Sequence, residues 1–331
     1  MNIKNVVTSD EFQQGGYFPL EYYVEFIQYL KNNKKIEIIT YDDMAWAESA
    51  NGKTVYETEK YNWEKKLESG ERDPKKIYVL LQHDVDSRPE RSMRLIQEEI
   101  AVGVRSNVMI FARRHNRKEL KNNWVLQYTD YNLDSELLKR AEKEFGFVIG
   151  YHCNAYEQAL YNLNNAQQRM IDDVKVLRKE YDIKFWSAHG GVAGPENINN
   201  NKMIPPDVIN ASTIWVHNGS SPFFDGNYSD GGLNNKKRDP RNRNISDFVT
   251  TWKPGKRYRI LTHPQYFSSP PQYNEWLATA DWYKEIFSIY DKTGSGGWKT
   301  PKGKHDFYEK IKFSQTSIFY RCLNYIRKKI L

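Results

Sequence analysis

The chain has 331 residues, a formal net charge of +7 and only two cysteines, Cys153 and Cys322. Its length and its aromatic fraction of 14% supply enough apolar surface for a large core, which excludes a disordered chain. Two cysteines without CxxC spacing support neither a disulfide framework nor a zinc ribbon. The basic charge leaves anionic partners admissible and requires none.

The first part of the chain predicts one helix followed by one strand. Residues 20–30 place apolar and aromatic side chains at helical spacing, and residues 36–40 (IEIIT) have the pattern of a short strand. Residues 42–75 are polar and charged, and we interpret them as an irregular, partly helical excursion.

An apolar run at residues 76–86 (KIYVLLQHDVD) ends in two acids. This pattern is typical of a buried strand that carries carboxylates at its C-terminal end. If the backbone stays extended, Asp84 and Asp86 point the same way, because alternate side chains of a strand share a face. The pair could therefore bind one cation or divide metal binding and proton transfer between them.

Strand and helix patterns alternate along most of the remaining chain. Helices are predicted over residues 90–101, 134–145 and 167–181, and strands over 105–112, 147–152, 183–189, 212–217 and 257–263. Sustained alternation favours an α/β fold in which parallel strands are joined by crossover helices.

Most histidines follow the predicted strands. Six of the seven lie at or just past a strand end: His83, His115, His152, His189, His217 and His263. In a parallel barrel or sheet these ends form one rim, where catalytic groups collect.

An Asp with two His suits Zn²⁺ or another borderline divalent metal. We predict Asp86, His152 and His189 as that set. Asp84 would then be the general base for a water that the cation activates, and His263 would protonate a leaving amine. These residues together predict metal-assisted hydrolysis of an amide or ester.

Five segments resemble, in order, the polysaccharide deacetylases of the NodB type, a superfamily of carbohydrate esterases. They are HDVD (83–86), IGYHC (149–153), SAHGG (187–191), YSDGG (228–232) and LTHPQYF (261–267). The resemblance covers roughly residues 76–267 and points to a branch with HDVD where other members carry Phe-Asp-Asp-Gly.

The resemblance implies a distorted (β/α) barrel that removes acetyl groups from N-acetylated sugars. By similarity, Asp84 is the base, Asp86 and His152 are metal ligands, and His263 is the acid. Asp230 would orient a catalytic group; the alternative is a turn residue before two glycines.

One departure concerns the metal. Many members use a second histidine four residues after the first, where this chain has Tyr156. We assign the missing ligand to His189 by its strand-end position; a Tyr ligand, a water or no metal are the alternatives. We expect Zn, with Mn, Co and Ni as further candidates.

We expect three regions: an N-terminal α/β extension (1–75) that stands apart or joins the barrel, a deacetylase-like barrel (76–290), and a C-terminal basic amphipathic helix (291–331). That helix packs on the domain or contacts an anionic membrane surface. The N-terminus has no signal-peptide pattern and no stretch reaches the about 18 apolar residues of a membrane span, so we expect a cytoplasmic or membrane-peripheral protein.

The leading hypothesis is a metal-dependent hydrolase that removes N-acetyl or O-acyl groups from a surface polysaccharide or its precursor. It would act on C–N amide bonds other than peptide bonds. The partner would be a carbohydrate, with anionic and lipid-linked saccharides among the candidates, and not a nucleic acid; the oligomeric state is open. Two alternatives are a DxD-type glycosyltransferase that uses a nucleotide sugar, and a catalytically degenerate protein that only binds carbohydrate.

Overall fold

The computed structural model describes residues 18–47, 55–210, 214–216, 224–230 and 245–268. The predicted C-terminal helix region (291–331) and His217 lie outside these ranges. Within them, no helix combines the length and apolar character that crossing a bilayer requires.

Strands and helices alternate along most of the described chain. The strands are β1 (Phe18–Pro19), β2 (Ile36–Ile39), β3 (Ile77–Val85), β4 (Asn107–Ile110), β5 (Arg114–His115), β6 (Tyr128–Thr129), β7 (Val148–Cys153), β8 (Phe185–Ala188), β9 (Ile214–Trp215), β10 (Gly226–Ser229), β11 (Arg257–Thr262) and β12 (Phe267–Ser268). The helices are α1 (Leu20–Asn32), α2 (Val55–Glu68), α3 (Pro89–Val102), α4 (Arg117–Asn123), α5 (Ser135–Phe145), α6 (Ala155–Gln158), α7 (Leu163–Leu177), α8 (Asp207–Asn210) and α9 (Ile245–Val249).

Eight strands form one sheet in the order β10-β11-β3-β4-β7-β8-β9, with β2 also paired to β3. Every pairing in this sheet is parallel, which confirms the predicted α/β class. From β3 the strand order follows the chain through β9 and returns through β10 and β11, as in a singly wound barrel. Among the described strands the ring is open between β9 and β10.

The sheet is strongly curled. β8 lies three strands from β3, which in a flat sheet would separate their ends by about 14 Å. Yet His189, directly after β8, places its Nε2 atom 3.6 Å from Oδ1 of Asp86, directly after β3. The curl therefore brings the C-terminal ends of distant strands to one place.

The two faces of the sheet have different partners. One face, here called the inner face, carries a cluster that includes Tyr78, Leu80, Met109, Val148 and Phe185. The other face packs on helices: Val79 and Leu81 contact the cluster that contains α1 residues, and Val85 and Ile149 contact the cluster that contains α5 and α7 residues. Because side chains alternate along a strand, the even-numbered residues of β3 up to Asp84 belong to the inner face.

The N-terminal segment contributes to the same sheet and core. β2 pairs with the first half of β3, and β4 pairs with the second half, so the two strands succeed one another beside β3. At the junction Asn107 donates its side-chain N–H to the carbonyl of Leu81 and accepts the backbone N–H of Tyr41. These bonds satisfy backbone groups where the pairing changes partner.

The structure differs from the sequence prediction at two helices. The helix expected at 167–181 is α7 (Leu163–Leu177), because the Asn162 side chain accepts the N–H of Asn165 and so begins the helix earlier. Within the excursion predicted at 42–75, α2 is a regular 14-residue helix. Its Trp63 is buried in the inner-face cluster, so tertiary packing explains a helix that the polar pattern predicted only in part.

Candidate metal centre

Three side chains meet at the C-terminal ends of β3, β7 and β8. Asp86, His152 and His189 each offer one ligand atom, and these atoms all lie within 4.8 Å of one another. Asp86 Oδ1 is 3.0 Å from Nε2 of His152 and 3.6 Å from Nε2 of His189. A tetrahedral site with Zn–N and Zn–O bonds near 2.0–2.2 Å separates its ligand atoms by about 3.3–3.6 Å. The Asp86–His189 separation lies in this range, and the Asp86–His152 separation lies just below it.

In both imidazoles Nδ1, the ring nitrogen that faces away from Asp86, has a hydrogen-bond partner of its own. His152 Nδ1 is 3.0 Å from Oγ of Ser187, and His189 Nδ1 is 3.0 Å from Oε2 of Glu157. Metal-binding histidines in proteins are oriented in this way by partners at the second nitrogen. The donor set and its supporting bonds therefore fit a borderline divalent cation.

Phe111 fixes the two rings against each other. Its ring stacks on His152 at 5.0 Å between centroids and meets His189 edge-on at 5.1 Å. Phe111 is 4% exposed, so the histidines have an apolar wall on one side. Such a wall restricts their rotation and lowers the local dielectric constant.

Asp84 lies beside the triad and is fully buried. Its Oδ1 accepts a hydrogen bond of 2.8 Å from the Gln82 side chain, whose own oxygen accepts the hydroxyl of Tyr41 at 2.6 Å. The other oxygen, Oδ2, is 3.8 Å from Nε2 of His152. The hydrogen bonds from Tyr41 to Gln82 and from Gln82 to Asp84 thus orient the Asp84 carboxyl group so that its Oδ2 atom faces the triad.

His263 directly follows β11, which pairs with β3 on the side away from β4. The backbone N–H of His263 donates to Asp230 Oδ2 at 2.6 Å, and its Nδ1 lies 2.5 Å from Asp230 Oδ1. Its Nε2 is 3.7 Å from Asp86 Oδ2. Asp230 therefore holds His263 by two contacts with the ring edge directed at the triad.

The charges of the cluster shift its pKa values in opposite directions. Burial alone raises the pKa of a carboxyl, but His189, His152 and His263 hold the pKa of Asp86 well below its usual range. Burial alone lowers the pKa of an imidazole, but the carboxylates of Asp230, Asp86 and Asp84 raise the pKa of His263 to about 10. Asp86 is thus kept ionised and His263 is kept protonated at neutral pH.

Two of the strand-end histidines lie outside this cluster. His83 belongs to the helix-covered face, where it lies 3.0 Å from Glu99 Oε1 and 2.6 Å from Thr262 Oγ1. His115 lies in the β5–β6 ribbon with Nε2 3.6 Å from Glu157. Neither belongs to the triad.

Tyr156 also lies away from the triad. Its side chain is 5% exposed and packs in the apolar cluster between the sheet and α5 and α7. Its backbone N–H donates to Asn200.

The sequence reasoning missed the residues that support the predicted ones. Gln82 and Ser187 each stand two positions before a predicted site residue, so strand alternation could have found both. Phe111 follows the same rule directly after β4, two residues past Met109 on the inner face. Glu157 carried no such local signal, because its contact with His189 spans 32 positions.

The fold and site define a class: a parallel α/β protein with a candidate metal centre at the C-terminal ends of its strands. No protein-family model matches this chain, and no curated protein matches it in sequence. Among solved structures the chain is similar to a CE4 esterase from Streptococcus mutans, with a TM-score of 0.31 and 10% sequence identity over 84% of this chain and 87% of that one.

Proposed function

We propose that this protein is a metal-dependent hydrolase that removes N-acetyl or O-acyl groups from a surface polysaccharide or its precursor. The observation that carries the proposal is the grouping of a metal-type triad with a buried carboxylate, Asp84, and a carboxylate-bound imidazole, His263. The carbohydrate substrate follows from the order of the sequence motifs. Anionic and lipid-linked saccharides remain within that substrate class.

Asp86, His152 and His189 would hold the cation, with Zn first among the candidates and Mn, Co and Ni after it. A bound divalent cation supplies a Lewis acid that polarises the acyl carbonyl and lowers the pKa of water. The nitrogen donors favour such borderline metals over Mg²⁺ or Ca²⁺.

Asp84 and His263 would divide the proton transfers. Asp84 Oδ2 accepts a proton from the water that attacks the acyl carbon, while Gln82 keeps the carboxylate in place. His263 gives its Nε2 proton to the leaving amine as the C–N bond breaks, which yields acetate and a free amino sugar. Asp230 keeps the imidazole oriented and protonated for that step.

The glycosyltransferase alternative is less well supported. In that reading Asp84 and Asp86 form a DxD motif for a nucleotide sugar, and the strand-end histidines have no role. Here Oδ1 of Asp86, the second aspartate of that motif, lies 3.0 Å from Nε2 of His152 and 3.6 Å from Nε2 of His189. The contact favours a cation held by imidazole and carboxylate together.

The test is acetate release from N-acetylated oligosaccharides by the purified chain, before and after metal removal by a chelator. We expect release that is lost with the metal and restored by Zn²⁺. A chain that binds Zn²⁺ but releases no acetyl group from amino-sugar or acylated glycans would contradict the hydrolase. Metal-free protein that still binds glycans would support the degenerate binding protein.

A further inference from the structure

Glu157 is a buried carboxylate at the centre of the contacts behind His189. It is fully buried on α6, and its Oε2 atom lies 3.0 Å from both Nδ1 of His189 and Nδ2 of Asn200. Its Oε1 atom accepts the backbone N–H of Val192 at 2.7 Å and faces Nε2 of His115 at 3.6 Å. A charged group so deeply buried needs such partners to offset its lost hydration.

The contact with His189 decides which ring nitrogen can bind a cation. The backbone N–H of Val192 donates to Oε1 of Glu157 and the side-chain amide of Asn200 donates to Oε2, so both carboxyl oxygens act as acceptors. Nδ1 of His189 lies 3.0 Å from the accepting Oε2 atom, so this nitrogen carries the proton and donates it to Glu157. The lone pair then lies on Nε2, the atom that faces Asp86.

The loop after β8 closes tightly around Glu157. Gly191 has φ +55, and a Cβ atom built there would lie 2.6 Å from the Glu157 carboxyl carbon. Only glycine permits both this backbone conformation and this close approach. The neighbouring Gly190 has no atom within 4 Å of such a Cβ.

We propose that Glu157 is a positioning residue of the metal centre, which fixes His189 as an Nε2 ligand and thereby sets the affinity for a borderline divalent cation. The inference rests on the metal site of the proposed function, and it does not depend on which bond is hydrolysed. Glu157 touches neither the cation site nor a substrate directly; it acts through the imidazole.

The chain contains a matched control on the opposite face of the sheet. Glu99 is also fully buried and also lies 3.0 Å from a histidine nitrogen, Nε2 of His83. It further accepts hydroxyl hydrogen bonds from Tyr23 and Ser106. Glu99→Gln therefore removes the charge of an equally buried carboxylate beside a histidine, as Glu157→Gln does, but it changes no partner of the triad.

The experiment measures Zn²⁺ affinity of the full chain by competition with a chromophoric chelator, and the visible spectrum of its Co²⁺ complex. We expect Glu157→Gln to bind Zn²⁺ about 10-fold to 100-fold more weakly, as is usual when the partner of a metal-binding histidine is removed. The Co²⁺ spectrum should change as well, because the amide can donate to Nδ1 and permit the other tautomer. Glu99→Gln should leave both the affinity and the spectrum unchanged.

A second pair of variants tests the same inference without removing the carboxylate. Gly191→Ala should displace Glu157 and weaken Zn²⁺ binding, whereas Gly190→Ala should not. Wild-type affinity and spectrum in Glu157→Gln would overturn the proposal; if that variant does not fold, wild-type affinity in Gly191→Ala would do so. Failure of acetate release with intact, Glu157-dependent metal binding would refute the hydrolase alone, and a wild-type chain that binds no Zn²⁺ would refute both.

Discussion

The carboxylate of Asp230 contacts His263 at two atoms, the backbone N–H at 2.6 Å and Nδ1 at 2.5 Å. Asp230 is 1% exposed at the end of β10, and His263 follows the adjacent strand β11. The pair joins two neighbouring strand ends, and it sets both the direction and the charge of the imidazole beside the triad.

Asp230→Asn should slow acetate release without removing the metal. An amide oxygen can satisfy only one of the two contacts and carries no charge to keep His263 protonated. We expect kcat to fall by about 10-fold to 100-fold, part of the roughly 10²-fold to 10⁴-fold effect of a general acid, with Zn²⁺ content unchanged. The control is Asp225→Asn, since Asp225 accepts the backbone N–H of Arg257 at the other end of the same strand pair. Equal kcat in the wild type and Asp230→Asn would rule out this role.

Asp84→Asn should abolish most of the activity while the fold persists. Asparagine keeps the shape of the side chain and can still accept the Gln82 hydrogen bond through its oxygen. It cannot take a proton, so kcat should fall by about 10²-fold to 10⁴-fold at unchanged Zn²⁺ stoichiometry. Acetate release at the wild-type rate would exclude Asp84 as the base.

Zn²⁺ should stabilise the chain against heat, because the three ligand groups are assembled only in the folded state. At a free concentration 100 times the dissociation constant, a single site adds about 2.7 kcal/mol to the free energy of unfolding. Differential scanning fluorimetry should show a higher Tm that EDTA reverses. Mg²⁺ at the same concentration should have little effect, given the nitrogen donors. An equal shift with both ions would argue against the triad as the site.

Cys153 should resist alkylation in the native protein although it adjoins His152. Its side chain is fully buried on the helix-covered face, and burial raises the pKa of its thiol to about 12. Because the thiolate is the reactive form, iodoacetamide labelling of the Cys153 peptide should stay low from pH 7 to 9 and rise on denaturation. Rapid native labelling, read by peptide mass spectrometry, would place Cys153 nearer the solvent than the structure does.

Strand alternation explains how much of the site the sequence could predict. Asp84 and Asp86 share a face at spacing two, and the structure places both within 4 Å of His152 Nε2. The same rule sets His83 on the opposite face from Asp84, so the grouping of all strand-end histidines in one rim was too broad. His152 and His189 could be predicted together because parallel strands end at the same edge.

The remaining parts of the site depend on contacts that no local pattern contains. Glu157 reaches His189 only because α6 and the loop after β8 fold over each other. The curl that brings β8 to Asp86 is a property of the whole sheet, which pairwise strand patterns do not encode. Asp230 has a clear contact, but its sequence context before two glycines equally suits a turn.

The central claim is that one divalent cation binds to Asp86, His152 and His189. The most direct test is a crystal structure of the protein soaked with Zn²⁺, with anomalous scattering measured at the zinc edge. We predict a single strong peak about 2.0–2.2 Å from Nε2 of both histidines and from a carboxylate oxygen of Asp86. No peak at these atoms, or a peak that excludes His189, would contradict the account.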